Sequence, residues 1–243
     1  LVGSEMCIRD RTMAVGDLSR KLPKGLLRFN EMSLMVEVHT ASGWTQITDA
    51  ALDSASVQLS ENGWVISADA TVRAVLHVAH QQPFHPVRDY LQSLEQHDAI
   101  EPFDLDKVAG EFFRAPAPLH SQMVRRWLIG AVARAMDPGC QMDHCLVLQG
   151  SQGIGKSTAI RVLASRELSS SSVPDSDKDM IQVIHACWIY ELAELDSVMS
   201  RREAGRLKNL ITTPVDRVRL PYGRTTQELR RESVFCATVN EAE

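Results

Sequence analysis

The sequence predicts an α/β fold built on a parallel β-sheet, and two kinds of segment lead to this prediction. Short apolar runs suited to buried strands occur three times and end beside polar or charged residues, within 145–149, 183–196 and 233–240. Apolar residues at helical spacing follow the first run, in the stretch KSTAIRVLASR. Because parallel strands need such helical crossovers between them, the three strands are expected to lie parallel in one sheet.

The stretch GSQGIGKST at 150–158 matches the G-x-x-x-x-G-K-[ST] pattern of a phosphate-binding loop. Such a loop leaves a buried strand and enters a helix, because the first N–H groups of the helix and its dipole attract the anion. The apolar run CLVLQ precedes the stretch and a helical pattern follows it. The sequence therefore predicts a P-loop nucleoside triphosphatase core that binds ATP and Mg²⁺. A glycine-rich turn with a chance lysine is the alternative, which these flanks disfavour.

The residues of this loop have distinct physical roles in the prediction. Gly153 and Gly155 allow the backbone to curve around phosphates, and Lys156 reaches the outer phosphates. The hydroxyl of Ser157 is expected to bind Mg²⁺. The nucleotide-binding residues expected from the motif are Gly150, Gly153, Ile154, Gly155, Lys156, Ser157 and Thr158.

Two further strands deliver residues suited to phosphate chemistry. The run VIHACWIYELAELD contains Glu191, which we expect to bind Mg²⁺, and Glu194, the candidate base that polarises the attacking water. The run SVFCATVN ends at Asn240, whose amide is suited to positioning that water or sensing the terminal phosphate. Such sites assemble at the strand ends of a parallel sheet, so these residues join Lys156 as catalytic candidates. The alternatives are a surface acid at a helix start for either glutamate and a turn residue for Asn240.

The segment 201–231 contains nine lysines and arginines and three acids, so its charge is +6 within a chain of net charge −5. The rest of the chain therefore has a charge of −11. A basic segment in an acidic protein is typical of a loop that binds a nucleic-acid backbone, because neutralised phosphates release counterions. Single-stranded DNA is the expected partner, with Tyr222 stacking on a base. The expected DNA-binding residues are Lys208, Arg219, Tyr222 and Arg224. A solvated basic helix with a hairpin, or arginines facing a neighbouring subunit's ATP, are the alternatives.

The composition, 44% hydrophobic and 23% charged, is typical of a soluble globular protein. No apolar run approaches the roughly 18 residues that cross a bilayer, and no secretory leader is evident. A cytoplasmic location without membrane contact is therefore expected. The five cysteines are scattered, which suits reduced thiols packed as small hydrophobes. Cys140, His144 and Cys145 suggest zinc, but no second ligand pair follows at a suitable spacing.

The chain is expected to contain three regions. Residues 1–11, LVGSEMCIRDR, resemble translated adapter sequence and are set apart from the fold, with a native N-terminal arm as the alternative. Residues 12–83 combine short strand and helix patterns without a catalytic constellation, so we expect an accessory mixed α/β and helical region. Residues 84–243 are expected to form the domain that contains the phosphate-binding loop. Its helices include an apolar stripe from Leu119 to Met136, with Arg125, Arg126 and Arg134 on the opposite face.

Several stretches together resemble the virulence-associated protein E family, which is similar to superfamily three helicases and to phage or satellite primase-helicases. These stretches are FHPVRDYLQSL, VARAMDPGCQMDHCLVLQGSQGIGKST, WIYELAELD, LKNLITTPVDRVRLPYGR and VFCATVN. The resemblance is dense from Phe84 to Asn240. It implies an AAA+-like ATPase that works as a homo-oligomeric ring, usually a hexamer, and moves along single-stranded DNA to replicate a phage, plasmid or satellite element.

The resemblance also implies roles for particular residues. Lys156 and Ser157 match the family's phosphate-loop pair, and residues 219–224 match its R-x-P-Y-G-R stretch. Glu191 matches its magnesium acid and Asn240 its sensor. The chain stops at NEAE, before a segment that would supply an intersubunit arginine, and no primase-like segment precedes residue 12. We therefore expect a C-terminally truncated fragment of a longer replication protein whose full chain includes a primase domain.

Two functions of different classes follow from these features. The first is an enzyme, an ATPase whose hydrolysis is coupled to binding of single-stranded DNA and translocation along it, as in a replicative helicase. The second is a nucleotide-dependent binding or regulatory protein of a mobile element without motor activity. The basic segment and the two acids favour the enzyme. A small-molecule kinase is a third alternative, but nothing in the sequence resembles an acceptor pocket and the basic segment would be unexplained.

Overall fold

The structure is a computed structural model of the 243-residue chain. It describes residues 16, 19–20, 22, 25–61, 67–97, 99–165, 168–174, 176–193, 201–218 and 225–240. The chain divides into two compact units, one up to Pro86 and one from Val87 onward. Among the described residues, no helix is long and apolar enough to cross a membrane.

The first unit combines a four-stranded sheet with two helices. Its elements in chain order are β1 (Leu27–Asn30), β2 (Met35–Thr40), β3 (Gly43–Gln46), α1 (Asp49–Glu61), α2 (Ala68–Ala79) and β4 (Pro83–Phe84). The first three strands are antiparallel neighbours, and β4 pairs with β1 in parallel, so the strand order is β3-β2-β1-β4. The unit is therefore a mixed α/β structure.

The core of the first unit lies between its sheet and its helices. Leu27 of β1 and Val36 of β2 are buried and pack with Leu52 of α1 and with Val75 and Val78 of α2. Strand side chains alternate between the two faces of a sheet, so every second residue of β1 and β2 faces these helices. Each apolar side chain buried in this way contributes about 1.5–3 kcal/mol to stability.

The second unit consists mainly of a parallel sheet and the helices that connect its strands. Its elements in chain order are α3 (Pro86–Glu95), α4 (Val108–Phe113), α5 (Pro118–Met136), β5 (Cys145–Gln149), α6 (Lys156–Leu163), β6 (Ser169–Ser170), α7 (Asp177–His185), β7 (Ile189–Leu192), α8 (Arg201–Thr212), β8 (Val215–Val218), β9 (Gln227–Arg230) and β10 (Val234–Val239). Strands β8 and β9 form a separate antiparallel pair. The predicted strands at 145–149 and 233–240 are confirmed to within one residue at each end.

The main sheet of the second unit has the strand order β5-β10-β7-β6, and all of its strand pairs are parallel. The central strand β10 pairs with β5, where Ala237 is opposite Val147, and with β7, where Cys236 is opposite Glu191. The predicted parallel sheet is therefore confirmed. Because the strands are parallel, the residues that follow β5 and β10 lie at the same edge of the sheet as the end of β7.

Helices α7 and α8 pack on one face of this sheet. Ile184 of α7 and Leu210 of α8 contact a cluster that includes Tyr190 of β7 and Phe235 of β10. The two aromatic rings meet nearly edge to face, with centroids 5.9 Å apart. Tyr190 and Phe235 are almost fully buried, so this cluster fixes the neighbouring strands β7 and β10 against the helices.

Helix α5 is joined to the sheet by two buried tryptophans. The indole of Trp127 donates a hydrogen bond to Phe235 O at 2.8 Å, and that of Trp188 donates to Ala131 O at 2.9 Å. Each indole N–H is therefore satisfied while its ring is buried, as a buried tryptophan requires. The predicted apolar stripe of this helix is buried only in part, since Leu119 at its start is 58% exposed.

The structure corrects one expectation for α5. The sequence pattern places Arg134 on the exposed face with Arg125 and Arg126, whereas Arg134 is fully buried and the other two are exposed. Its guanidinium donates to the backbone carbonyls of Cys140 at 3.1 Å, Ser233 at 3.1 Å and Met142 at 3.4 Å. Burial lowers the pKa of Arg134, and the nearby charge of Arg231 lowers it further. These carbonyls accept the hydrogen bonds that water would accept from an exposed guanidinium. Arg134 therefore links the end of α5 to the segments that precede β5 and β10.

Candidate functional site

The loop between β5 and α6 is curved by two glycines in the left-handed region of backbone conformation. Gly153 has a φ of +81° and Gly155 a φ of +95°, values that residues with a Cβ rarely adopt. Gly155 is the N-cap of α6, so the chain enters the helix directly from this curve. The first N–H groups of a helix have no partner within the helix, and a concave loop at that position favours an anion.

The ammonium group of Lys156 lies within this loop. Its Nζ donates to Gly150 O at 2.5 Å, to Ser151 O at 3.0 Å and to Asn240 Oδ1 at 3.1 Å. Asn240 follows β10 and is 84 residues away in the sequence, so the parallel sheet brings two predicted site residues together. An ammonium group held by neutral oxygens is placed to exchange them for the oxygens of an anion, which bind it more strongly.

Two hydroxyl groups converge on the carboxylate of Glu191. Ser157 Oγ donates to Glu191 Oε1 at 2.5 Å, and Thr238 Oγ1 donates to the same oxygen at 3.0 Å. Glu191 is only 4% exposed, and a buried carboxylate needs such donors or a cation. The sequence prediction did not include Thr238. Its position two residues before Asn240, on the same side of the chain, is the signal that could have identified it.

Lys156, Ser157, Thr238 and Asn240 line a polar cavity with a volume of about 280 Å³, and Glu191 lies beside it. Its lining residues are Gln152, Gly153, Gly155, Lys156, Ser157, Thr158, Ala193, Thr238 and Asn240. Ile154 is 64% exposed, and its Cδ1 lies 2.6 Å from the position that a Cβ at residue 150 would occupy. Gly150 is therefore the residue that allows Ile154 to fold back over the loop.

The polar groups in and beside this cavity suit two kinds of ligand, a cation and a phosphate. Ser157 Oγ and Glu191 Oε1 are adjacent oxygens, so they could hold a small cation that prefers oxygen, such as Mg²⁺. Lys156 and the start of α6 could hold the oxygens of a phosphate chain. The predicted residues Lys156, Ser157, Glu191 and Asn240 are thus close together, whereas Glu194 lies outside the described residues.

Cysteine chemistry has no place in this arrangement. Burial raises the pKa of Cys145 and that of Cys187 to about 12. Burial also raises the pKa of Cys236, and the neighbouring Cys145 and Glu191 raise it further. Since the thiolate is the nucleophile and the metal ligand, these three groups stay neutral and unreactive near neutral pH.

A larger cavity of about 980 Å³ has a different character. Its lining side chains come mainly from α4, α5 and α6 and are all apolar, among them Phe112, Trp127 and Val162. None of the described residues that line this cavity has a carboxylate, an ammonium group or a hydroxyl, so they supply no ligand for a phosphate or a metal ion. The polar cavity at the loop is therefore the candidate site, although it is smaller.

The basic segment folds as a helix followed by a hairpin. In the hairpin, Val215 of β8 is opposite Arg230 of β9, and Val218 is opposite Gln227. Lys208 is exposed on α8. The other predicted DNA-binding residues, Arg219, Tyr222 and Arg224, follow β8 in the sequence and lie outside the described residues.

A buried ionic network joins the base of this hairpin to α7. Arg231 donates through Nε to Asp216 Oδ2 at 2.6 Å and through Nη2 to Oδ1 at 2.8 Å, while Nη1 donates to Leu210 O. His185 Nε2 lies 3.0 Å from Asp216 Oδ2. Burial alone would raise the pKa of Asp216, but the hydrogen bonds from His185 and Arg231 and their charges lower it to about 2. In the sequence, Asp216 and Arg231 are recognisable only as charges of the basic segment.

Replacing Asp216 with Asn should lower the free energy of unfolding by about 3–5 kcal/mol, because the buried Arg231 would lose its carboxylate. The pKa of Asp216 is about 2 in the folded chain, against an ordinary value of 3.8. Its stabilising contribution is therefore complete above about pH 4 and is lost as the pH falls towards 2. Urea denaturation of the wild type and of Asp216→Asn is measured from pH 7 to pH 3. The difference between their free energies of unfolding should narrow only at the acidic end of this range.

Asp106→Asn is the matched control for this variant. Asp106 pairs with Arg125 at 3.3 Å, but the two side chains are 60% and 52% exposed. An exposed pair of this kind contributes less than about 1 kcal/mol. Equal losses of stability in the two variants would contradict the stabilising role of the buried network.

Comparisons with known proteins give one family and a set of similar structures. Residues 91–243 match the family described as the virulence-associated protein E-like domain. The A form apo structure of the NrS-1 C-terminal region is similar with a TM-score of 0.47 and 15% sequence identity, covering 89% of this chain and 54% of that chain. A second apo structure of the same region has a TM-score of 0.47 and 15% identity, covering 88% and 54%. This chain thus spans about half the length of those structures. A search of curated proteins finds no match.

Proposed function

Because the chain belongs to the virulence-associated protein E-like domain family, we propose that it is the ATPase module of a replication protein from a mobile genetic element. In this proposal the second unit has a P-loop nucleoside triphosphatase core, similar to AAA+ proteins and superfamily three helicases. It binds ATP with Mg²⁺ and couples hydrolysis to movement along single-stranded DNA. The supporting observation is that the predicted site residues meet at the carboxyl ends of three parallel strands. They are Lys156, Ser157, Glu191 and Asn240.

Phosphate binding is the task of the loop and of Lys156. The positive φ values of Gly153 and Gly155 shape a backbone concavity at the start of α6, where anions are favoured. When a triphosphate enters, Lys156 Nζ exchanges the carbonyls of Gly150 and Ser151 for phosphate oxygens. Phosphate oxygens carry negative charge and attract the ammonium group more strongly than neutral carbonyl oxygens do, so this exchange favours the bound nucleotide.

Ser157 and Glu191 are the residues that would hold Mg²⁺. Their oxygens are 2.5 Å apart, and oxygen ligands of this kind suit that ion. The ion would neutralise charge that develops on the phosphates. Thr238 of the neighbouring strand β10 supports this arrangement, since its hydroxyl donates to Glu191 Oε1 and so orients the carboxylate.

Hydrolysis needs a polarised water and a group that senses the terminal phosphate. Asn240 contacts Lys156 through Oδ1, so its amide lies next to the group that binds the outer phosphates. Glu194 follows Glu191 by three residues and is the proposed base for the water. We assign Asn240 to positioning that water or the terminal phosphate.

DNA binding is assigned to the basic segment. Its charge of +6 contrasts with −11 in the rest of the chain, and phosphate backbones bind such segments through counterion release. Exposed Lys208 on α8 and the segment 219–224 are the proposed contacts. The module is proposed to act in the cytoplasm as a homo-oligomeric ring, usually a hexamer, with a primase domain elsewhere in the full-length protein.

A nucleotide-dependent regulatory protein without motor activity is the alternative, and one experiment separates the two. ATP turnover is measured as phosphate release with and without single-stranded DNA. A rate of phosphate release that DNA stimulates supports the ATPase motor. Tight ATP binding with no turnover in either condition supports the regulatory protein. Failure to bind ATP with Mg²⁺ at all would contradict both.

The segment 219–224 supplies a second test of the DNA assignment. Changing Arg219 and Arg224 together to Ala should weaken binding to single strands of any sequence by a similar factor. The slope of log affinity against log salt should fall by about 0.7 for each DNA phosphate that the variant no longer neutralises. Tyr222→Ala should cost about 1–3 kcal/mol of binding free energy with little change of slope, because stacking involves no charge.

The matched control for this test removes two other arginines. Arg125 and Arg126 are exposed on α5, so their double change to Ala alters the net charge equally. An equal fall of the salt slope in both double variants would show that the overall charge of the chain, rather than the segment 219–224, determines the affinity for DNA. Normal DNA binding by the Arg219 and Arg224 variant, with a loss of ATPase activity only in the assembled ring, would place these arginines at a neighbour's nucleotide.

A further inference from the structure

A second polar cavity of about 250 Å³ adjoins the cavity at the phosphate loop. The two share Ser157 and Ala193 among their lining residues. The second cavity is lined by Ser157, Arg161, Ser169, Ser170, Ser171, Glu191 and Ala193. Its wall thus contains both proposed magnesium ligands, together with side chains that the proposed function does not use.

Arg161 is the cation of this cavity. It lies on α6 four residues after Ser157, a spacing that places both side chains on the same face of the helix. Arg161 is exposed, and within the described part of the chain its guanidinium makes no hydrogen bond or ion pair. It therefore has all of its donors available for a ligand.

The serines opposite Arg161 are held in fixed positions by the strand next to them. Ser169 and Ser170 form β6 and pair with Ile189 and Tyr190 of β7. The phenol of Tyr190 donates to Ser172 O at 2.7 Å, which fixes the chain just beyond the cavity. Ser170 Oγ accepts the N–H of Ser172 at 3.2 Å, so the hydroxyl keeps its hydrogen to donate to a ligand.

The charge and the size of the cavity restrict what it can bind. Among the described residues, Arg161 and Glu191 are the two charged residues that line this cavity. Their charges cancel, so an anion becomes favourable once a cation neutralises the carboxylate. A volume of about 250 Å³ equals roughly eight water molecules at about 30 Å³ each. That volume admits a small tetrahedral oxyanion with a few waters.

We propose that this cavity is a second anion subsite, in which Arg161 and the hydroxyl of Ser170 bind inorganic phosphate beside the proposed Mg²⁺ position. The inference rests on the proposed function, because Mg²⁺ at Glu191 provides the charge that makes the anion favourable. The phosphate comes either from the nucleotide cleaved in the adjoining loop cavity or from solution, and both sources supply the same oxyanion.

The test measures equilibrium binding rather than activity. Inorganic phosphate is titrated calorimetrically into the full chain saturated with ADP and Mg²⁺. Arg161→Ala should weaken phosphate binding about ten- to hundredfold, since hydrogen bonds to charged groups are the strong ones. Ser170→Ala should weaken it by a smaller factor. Arg126→Ala removes an exposed arginine of α5 and should leave phosphate binding unchanged. The affinity for ADP should stay within about twofold in all three variants, because none of these residues lines the loop cavity.

A second arm identifies the source of the phosphate. ATP labelled at its terminal phosphate is mixed with the protein and passed rapidly through a gel filtration column. Label retained by the wild type and absent from Arg161→Ala shows that cleaved phosphate occupies the subsite. Binding in the titration alone shows that phosphate from solution occupies it.

The outcomes separate this inference from the proposed function. If the wild type binds ADP with Mg²⁺ but Arg161→Ala leaves phosphate binding unchanged in both arms, the subsite is refuted and the proposed function stands. If the wild type binds no ADP with Mg²⁺, the proposed function fails, and the subsite that rests on it fails as well.

Discussion

Lys156→Ala should lower ATP turnover by at least about 10²–10³-fold and greatly weaken nucleotide binding. The Nζ atom of Lys156 lies 2.5 Å from Gly150 O and 3.1 Å from Asn240 Oδ1, and Lys156 lines the loop cavity. Removing one group that stabilises transition-state charge costs about 10²–10³ in rate, and Lys156 also contributes to ground-state binding. Phosphate release and equilibrium binding of a fluorescent ATP analogue measure the two effects separately.

Lys178→Ala is the matched control for this variant. Lys178 is an exposed lysine of α7 and lines neither polar cavity. This variant should therefore bind nucleotide and hydrolyse it like the wild type. Normal turnover by the Lys156 variant would refute the assignment of the loop as a nucleotide site. A similar loss in both variants would point to the chain's net charge instead.

The conformation of the loop at 150–158 was predictable because its sequence signals are local. The strand Cys145–Gln149, the glycines and the helix from Lys156 are contiguous, so pattern and spacing alone indicate their order and conformation. To predict that Glu191 and Asn240 lie near this loop, one must also expect that parallel strands bring their carboxyl ends to the same edge of the sheet. The contact of Lys156 with Asn240 agrees with that expectation.

Element boundaries were less predictable within a continuous apolar run. The run 183–196 suggested one strand, but α7 extends to His185 and β7 begins only at Ile189. Periodicity cannot distinguish the end of a buried helix from the start of a buried strand when nearly every residue is apolar. As a result, Glu191 lies within β7 rather than after it, next to Thr238 of the neighbouring strand.

Buried charges were the features that the sequence pattern missed. Arg134 finds one of its acceptors at Ser233, 99 residues away, and Asp216 depends on His185 and Arg231. Helical periodicity assigns a charged residue to the solvent face, because it has no information about acceptors from distant segments. Such side chains are identified only when the fold brings those acceptors to them.

Glu191→Gln should retain nucleotide binding and lose most of the Mg²⁺-dependent turnover. The amide has nearly the shape of the carboxylate, and its oxygen still accepts hydrogen bonds from Ser157 and Thr238. The variant therefore keeps the local structure and removes only the charge that attracts the ion. Equilibrium binding of the ATP analogue should change little, while phosphate release at saturating ATP and Mg²⁺ should fall by about 10²-fold or more.

Glu111→Gln is the control for the Glu191 variant, since Glu111 is exposed on α4 and lines neither polar cavity. It should leave both measurements unchanged. If Glu191→Gln instead loses nucleotide binding and turnover together, the carboxylate acts by holding the loop in shape rather than by binding a cation. If turnover persists at the wild-type rate, the ion is held elsewhere, and the hydrogen bond between Ser157 and Glu191 is only structural.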